Sequence, residues 1–465
     1  MPEIKETSLL KDLWSDDEAQ KLGKNQLALL RYRSNLLGAD LRITNFGGGN
    51  TSSKIELPDP FTGAPVRVLA VKGSGGDIGS IKESGFALLY LDRLEQLKEI
   101  YRGEQYEDEM VGYYPLSAFG ENRVAASIDT PLHAFLPFPH VDHLHPDWAI
   151  ALAASANGKQ KLAEFNKKYG RKLVWVPWQR PGFELALLIE NAVKQNAGTD
   201  GIILGGHGLF TWGSTQRECY LNSLHTIDQM GEFIQQHQAK KGILFGGLEH
   251  APLADRKNVA IQILPALRGA LSSNRCVVAH YADNADTLTF AGSKWSRELG
   301  ALGTSCPDHF LRTRVCPMFV RWDPAKEDIT SLKTRIGEQV VTYRADYKTY
   351  YEACATKDSP KLRDSNPSVV IIPGVGLLGF GKTKKEARIT TEFFINAIHV
   401  MAGANALEDG EVAHPFPQAR RAEQSAQFSQ LHNYVALPRA EAFRIEYWAL
   451  EEAKLQRMPA ETEGL

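Results

Sequence analysis

Two stretches of this chain, 168 residues apart, read almost the same. GIILGGHGLFTWGSTQRE, residues 201–218, lies over VVIIPGVGLLGFGKTKKE, residues 369–386. Seven of the eighteen positions are identical: Ile203/Ile371, Gly206/Gly374, Gly208/Gly376, Leu209/Leu377, Gly213/Gly381, Thr215/Thr383 and Glu218/Glu386. Most of the others pair apolar with apolar. A supersecondary unit repeated in this way has to be settled before any motif inside it is read. The second copy carries Gly374, Gly376 and Gly379, a G-x-G-x-x-G after an apolar run, which alone would read as a dinucleotide fingerprint. The repeat argues against that. LLGFG continues as extended chain, so the glycines serve a strand–turn–strand, whereas a pyrophosphate site needs a helix that starts at once. The telling difference between the copies is that His207 in the first is Val375 in the second.

The rest of the chain alternates helical and strand patterns, which predicts an α/β class. With 465 residues there is room for two or three domains with substantial cores. A first α/β domain is predicted over residues 1–245 and a second over 257–445, with KKGILFGGLEHAPLADRK as connector and a C-terminal tail at 446–465. A net charge of -2 gives no electrostatic reason to expect nucleic acid or an anionic membrane as partner. The apolar runs are about half the length that spans a bilayer. The opening residues, MPEIKETSLLKDLWSDDEAQ, are charged throughout and lack the apolar core of a signal peptide. The five cysteines are odd in number and scattered, with no C-x-x-C, so reduced thiols in a cytoplasm are expected rather than a disulfide framework or a thiolate zinc site.

In PHVDHLHPD, His143 and His145 stand two apart in a predicted strand, so both imidazoles project from one face. With His207 from the distant strand–turn they would make a three-histidine metal site with an open position. Zinc is the default ion for three neutral imidazoles, and Mn²⁺, Co²⁺ and Fe²⁺ stay open. His140 and His133 compete as ligands. The plainer reading has these residues as surface or helix-capping histidines beside Pro146 and Asp147. Two glycine turns, GGGNTS at 47–52 and KGSGGD at 72–77, expose backbone N–H groups of the kind that can cradle a phosphate, or serve simply as turns. Neither is a P-loop. Asp129, in SIDTPLHAF, is either an N-cap with Pro131 in the first turn or a carboxylate able to move protons near the metal.

These pieces, in this order, resemble the class II aldolase/adducin family: Gly49, Asn50 and Ser52 of a G-N-x-S turn, the K-G-S-G turn, Asp129 before a helix, His143 and His145, and finally His207. The resemblance implies a central sheet flanked by helices, with the second domain a degenerate, metal-free copy. It implies Zn²⁺ on His143, His145 and His207, and a phosphate pocket of Asn50, Ser74, Gly75 and Ser127. Two departures stand out. Ile128 replaces a second serine of that pocket, and Asp129 replaces a glutamate. HVDHLHPDWAIALAAS, GTSCPDHFLRT, GVGLLGFGKTKKEA and EAFRIEYWALEEAKLQRMPA further resemble the aldolase portion of bifunctional rhamnulose-1-phosphate aldolase/lactaldehyde dehydrogenases. That implies retro-aldol cleavage of L-rhamnulose 1-phosphate to dihydroxyacetone phosphate and L-lactaldehyde, with Asp129 moving the proton. It also implies a homo-oligomer and a short-chain dehydrogenase domain or protein as partner. The family also holds sugar-phosphate 4-epimerases and adducin-like assembly modules, and these are the alternatives.

Overall fold

A computed structural model describes residues 7–273, 275–409 and 429–448. The chain forms two compact units, Met1–Ala153 with Gly158–Ile234, and Ala154–Asn157 with Gln235–Leu465. The division falls within the helix Gln216–Lys241, earlier in the chain than residue 245. Beyond Trp448 the expected C-terminal tail lies outside the described residues.

The first unit is built on a seven-stranded sheet of order β3-β2-β1-β4-β7-β6-β5. The strands are β1 (Asn50–Pro58), β2 (Pro65–Lys72), β3 (Phe86–Tyr90), β4 (His140–Leu144), β5 (Leu173–Val176), β6 (Gly201–Leu204) and β7 (Gly208–Gly213). All neighbours are antiparallel except β5 and β6. Alternation along each strand divides its side chains between two helical layers. Leu69 and Val71 of β2 join Val141, Ile202, Phe210 and Trp212 in a core that also takes Leu94, Phe135, Phe183 and Ile189. Those last residues come from the helices Leu91–Ile100 and Phe183–Gln195 and from the end of the helix Thr130–Ala134. Val68 and Ala70 point the other way, onto Leu30 of the helix Gln26–Gly38.

The second unit carries a four-stranded sheet of order β8-β11-β10-β9, with β8 (Val278–Ala282), β9 (Met318–Phe319), β10 (Val369–Ile372) and β11 (Gly376–Gly381). The pairing pattern reproduces β4-β7-β6-β5. In both, the first three strands run antiparallel in turn and the fourth is parallel to the third. Among the described residues nothing in this sheet corresponds to β1, β2 and β3. The protein is thus a mixed α/β chain, a central sheet flanked by helices followed by a second unit that repeats half of that sheet.

The repeated residues have shared local reasons. A Cβ on Gly213 would stand 2.3 Å from the Cys219 nitrogen, and one on Gly381 would stand 2.6 Å from the Ala387 nitrogen, so only glycine lets strand and following helix pack this closely. Thr215 and Thr383 accept from the backbone N–H of Glu218 and Glu386 at 3.1 and 3.2 Å. Those glutamates accept in return from the N–H of Ser214 and Lys382, both at 2.9 Å. This is a variant of the capping box written twice, with the glutamate reaching back to the residue before the N-cap threonine.

Candidate metal and phosphate site

One end of the first sheet gathers the histidines. His143 leaves β4 opposite Phe210 of β7, and the two rings stack at 4.2 Å with 9° between planes. His145 follows just past the end of β4. His207 sits in the tight β6–β7 turn, its N–H donating to the Leu204 carbonyl oxygen at 3.1 Å. The Nε2 of His143 lies 3.0 Å from that of His145 and 3.3 Å from that of His207. All three residues are buried.

The donor set fits a divalent ion. The His143 Nδ1 lies 3.2 Å from the Leu209 carbonyl oxygen; its N–H donates there, which leaves the lone pair of Nε2 facing the other two rings. Burial, and then the neighbouring His145 and His207, hold the His143 imidazole well below its usual range. It is therefore neutral at physiological pH, the form that ligates. Three converging, buried imidazoles suit zinc and related first-row ions. His133 and His140 turn elsewhere. Their Nδ1 atoms meet Ser52 Oγ at 2.8 Å and Ser53 Oγ at 2.9 Å.

The sequence-predicted phosphate residues lie beside the histidines. Asn50 is the register partner of His143. The chain reaches it through Gly49, with φ of 72°; a Cβ there would stand 2.5 Å from the His143 carbonyl oxygen. The Asn50 Nδ2 donates to Ser127 Oγ at 3.3 Å, while its Oδ1 is buried without a hydrogen-bond partner among the described residues. The second glycine turn is carried to the same place by a bridge between Gly73 and Ala126, and by the Ser74 N–H donating to the Ala125 carbonyl oxygen at 2.8 Å. Gly75, with φ of 80°, is exposed, and a Cβ there would meet nothing within 4 Å. The two turns are tied together by the Gly47 N–H donating to Asp77 Oδ1 at 3.0 Å.

Asp129 occupies the N-cap position of the helix Thr130–Ala134, but its carboxylate makes no capping hydrogen bond. Ser127 Oγ accepts from the Asp129 N–H at 3.3 Å and lies 3.5 Å from its Oδ2. Asn50, Ser127 and Asp129 thus form one hydrogen-bonded run.

Two features escape sequence reading. Asp142 projects to the opposite face from His143. It accepts from Arg33 Nε at 3.1 Å, Ser223 Oγ at 2.7 Å and the Cys219 thiol at 3.2 Å. Arg33 also donates to the Ser52 carbonyl oxygen at 2.7 Å. This buried cluster ties β1 to β4 behind the site. The alternation in HVDHL marks Asp142 as facing away from the histidines, but its partners come from far along the chain. The other feature is Trp178, two residues past β5, whose indole lies 6.3 Å from the His207 ring.

Residues 31–229 match the class II aldolase and adducin N-terminal domain, and residues 258–455 match the class II aldolase second domain. The chain belongs to the class II aldolase and adducin family. It is 35% identical over 461 residues to a protein of Bacillus subtilis (strain 168) called an uncharacterized oxidoreductase, YuxG, covering 98% of this chain. The chain spans 62% of the length of that relative. Among solved structures, the N-terminal class II aldolase domain of a conserved protein from Thermoplasma acidophilum is 30% identical. That match covers 48% of this chain and 99% of the other, with a TM-score of 0.43. The L-fuculose-1-phosphate aldolase of Thermus thermophilus is 16% identical, covering 46% of this chain and 95% of that one, with a TM-score of 0.30. No helix among the described residues is long and apolar enough to cross a membrane.

Proposed function

We propose that this protein is a metal-dependent aldolase that cleaves a ketose 1-phosphate, with L-rhamnulose 1-phosphate the first substrate to test, giving dihydroxyacetone phosphate and L-lactaldehyde. The observation that carries the reading is the convergence of His143, His145 and His207 beside the Asn50–Ser127–Asp129 run. A divalent ion held by the three imidazoles, zinc in this reading, supplies a Lewis acid for negative charge that develops on oxygen as a carbon–carbon bond breaks. The chain's own groups do the rest. The Asn50 side chain, the Ser74 hydroxyl with the Gly75 backbone N–H, and the Ser127 hydroxyl hold the phosphate and so fix the register of the carbon chain. When C3–C4 breaks, the Asp129 carboxylate takes up the C4 hydroxyl proton and the aldehyde forms. The electron pair stays with the three-carbon fragment, and the Asp129 carboxylate carries a proton to C3.

The relative's name as an oxidoreductase, and its greater length, support a dehydrogenase domain or protein as partner, one that would take up the aldehyde. The five scattered cysteines, Cys219, Cys276, Cys306, Cys316 and Cys354, fit a reducing cytoplasm, and the reading includes a homo-oligomer. The test is cleavage of L-rhamnulose 1-phosphate by zinc-loaded protein, with dihydroxyacetone phosphate read through a coupled reductase, with and without chelator. Chelator-sensitive release is expected. Formation of an isomeric ketose phosphate instead would make the protein an epimerase.

A further inference from the structure

The strand order sets the candidate groups out in a line. At the end of the sheet where the histidines lie, the succession from β2 to β5 is Ser74 and Gly75 after β2, Asn50 at the start of β1, and His143 and His145 at the end of β4. His207 follows before β7, and Trp178 comes last, after β5. Neighbouring strands stand about 4.8 Å apart, so the histidines lie within about two strand widths of Asn50, a span that the carbon chain of a phosphorylated sugar bridges. Phosphate-binding turns occupy one flank of the histidines and Trp178 the other. The loop bearing Trp178 is packed against the β6–β7 turn. The Gly205 N–H donates to the Val176 carbonyl oxygen at 2.8 Å, and a Cβ on Gly205 would stand 3.2 Å from the Trp178 nitrogen. The indole presents itself to His207 at 60° between planes and stays half-buried.

The second unit shows what a tryptophan at this register does when it serves packing. Val174 pairs with Ile202 as Met318 pairs with Val370, which brings Trp178 into correspondence with Trp322. Trp322 is buried, and its indole N–H donates to the Asp328 carbonyl oxygen at 3.2 Å.

Resting on the aldolase reading above, we propose that Trp178 is the wall against which the aldehyde-derived end of the substrate packs. It would thereby set a preference for a sugar that ends in an apolar methyl group over one that ends in a hydroxymethyl group. The phosphate is fixed on the β1–β2 flank, so the carbons beyond the scissile bond extend toward β5. An indole face there gains from burying a methyl group and leaves a hydroxyl without a partner.

The experiment uses the full chain loaded with Co²⁺. Addition of dihydroxyacetone phosphate to lactaldehyde and to glyceraldehyde is measured for wild type, Trp178→Phe and Trp178→Ala, and tryptophan fluorescence is followed during Co²⁺ titration. The wild type is expected to favour lactaldehyde in kcat/KM, by about 10-fold or more for a methyl over a hydroxymethyl group. Trp178→Ala should lose most of that ratio, and Trp178→Phe should retain much of it. Co²⁺ should quench a fluorescence component that both variants lack. An unchanged aldehyde ratio in Trp178→Ala, or quenching identical to wild type, overturns the assignment of Trp178. Wild-type protein that binds Co²⁺ but forms no carbon–carbon bond overturns the aldolase reading instead, and the Trp178 assignment with it.

Discussion

The Tyr281 hydroxyl donates to the Val375 carbonyl oxygen at 2.7 Å. By strand register these two residues are the second unit's counterparts of His143 and His207. His140 pairs with Gly213 and Val278 with Gly381, and the two glycines are the same position of the repeat. Counting along the strands then sets Tyr281 against His143 and Asp283 against His145. Asp283 accepts from Arg256 Nε at 3.0 Å. Where the first unit has three imidazoles, the second has a hydrogen-bonded tyrosine, a salt-bridged aspartate and a valine.

One divalent ion per chain is therefore expected. Zinc bound after removal of excess metal, measured by elemental analysis, should be about one equivalent. His207→Ala should lose it, because two imidazoles hold zinc far more weakly than three. Val375→His should still bind one, since Tyr281 and Asp283 remain committed. A second equivalent in that variant would mean that the second unit keeps a usable site.

Asp129→Asn should leave zinc content unchanged and lower kcat by about 10²–10⁴-fold, the usual worth of a positioned acid–base group, with little change in KM. The amide keeps the size and can still meet Ser127, but cannot carry the proton. A loss confined to KM would make Asp129 a binding residue only.

Much of this was legible in the sequence. His143 and His145 were readable because strands alternate, and His207 because the repeat isolates it against Val375. The correspondence of β8 with β4 was not, since no residue of VAHYA matches its partner in HVDHL, and only the backbone pairing discloses it. Asp142 and Trp178 were missed for a related reason. Their meaning depends on partners brought together by sheet order, and sequence distance carries no trace of it.

The Arg33–Asp142 pair has no exposure on either side chain. Removing one partner leaves a buried charge unpaired, which typically costs about 3–5 kcal/mol. Asp142→Ala should lower the urea midpoint of the first unit accordingly. The double change Arg33→Met with Asp142→Leu should recover much of the loss, because the desolvation of both charges disappears with the pair. A single variant as stable as wild type would show that water or a rearranged Gln216 compensates for the missing carboxylate.

Acid should destabilise the fold through two histidines outside the metal site. Burial, with the Lys54 and Arg33 charges adding to it, brings His133 down to about 3; burial and Arg33 bring His140 to about 3. In the unfolded chain both titrate near their ordinary value of about 6.5. Below that pH the unfolded state takes up protons that the folded state refuses, so stability is whole above 6.5 and falls as pH drops toward 3. Each histidine contributes a slope of about 1.4 kcal/mol per pH unit across this window. Urea unfolding of metal-stripped protein between pH 7 and 5 measures it, above the range where ordinary carboxylates titrate. His133→Gln keeps a polar partner for Ser52 but cannot take the proton, so its slope should be shallower than wild type by about 1.4 kcal/mol per unit. Equal slopes would mean that His133 is protonated in the folded protein despite its burial.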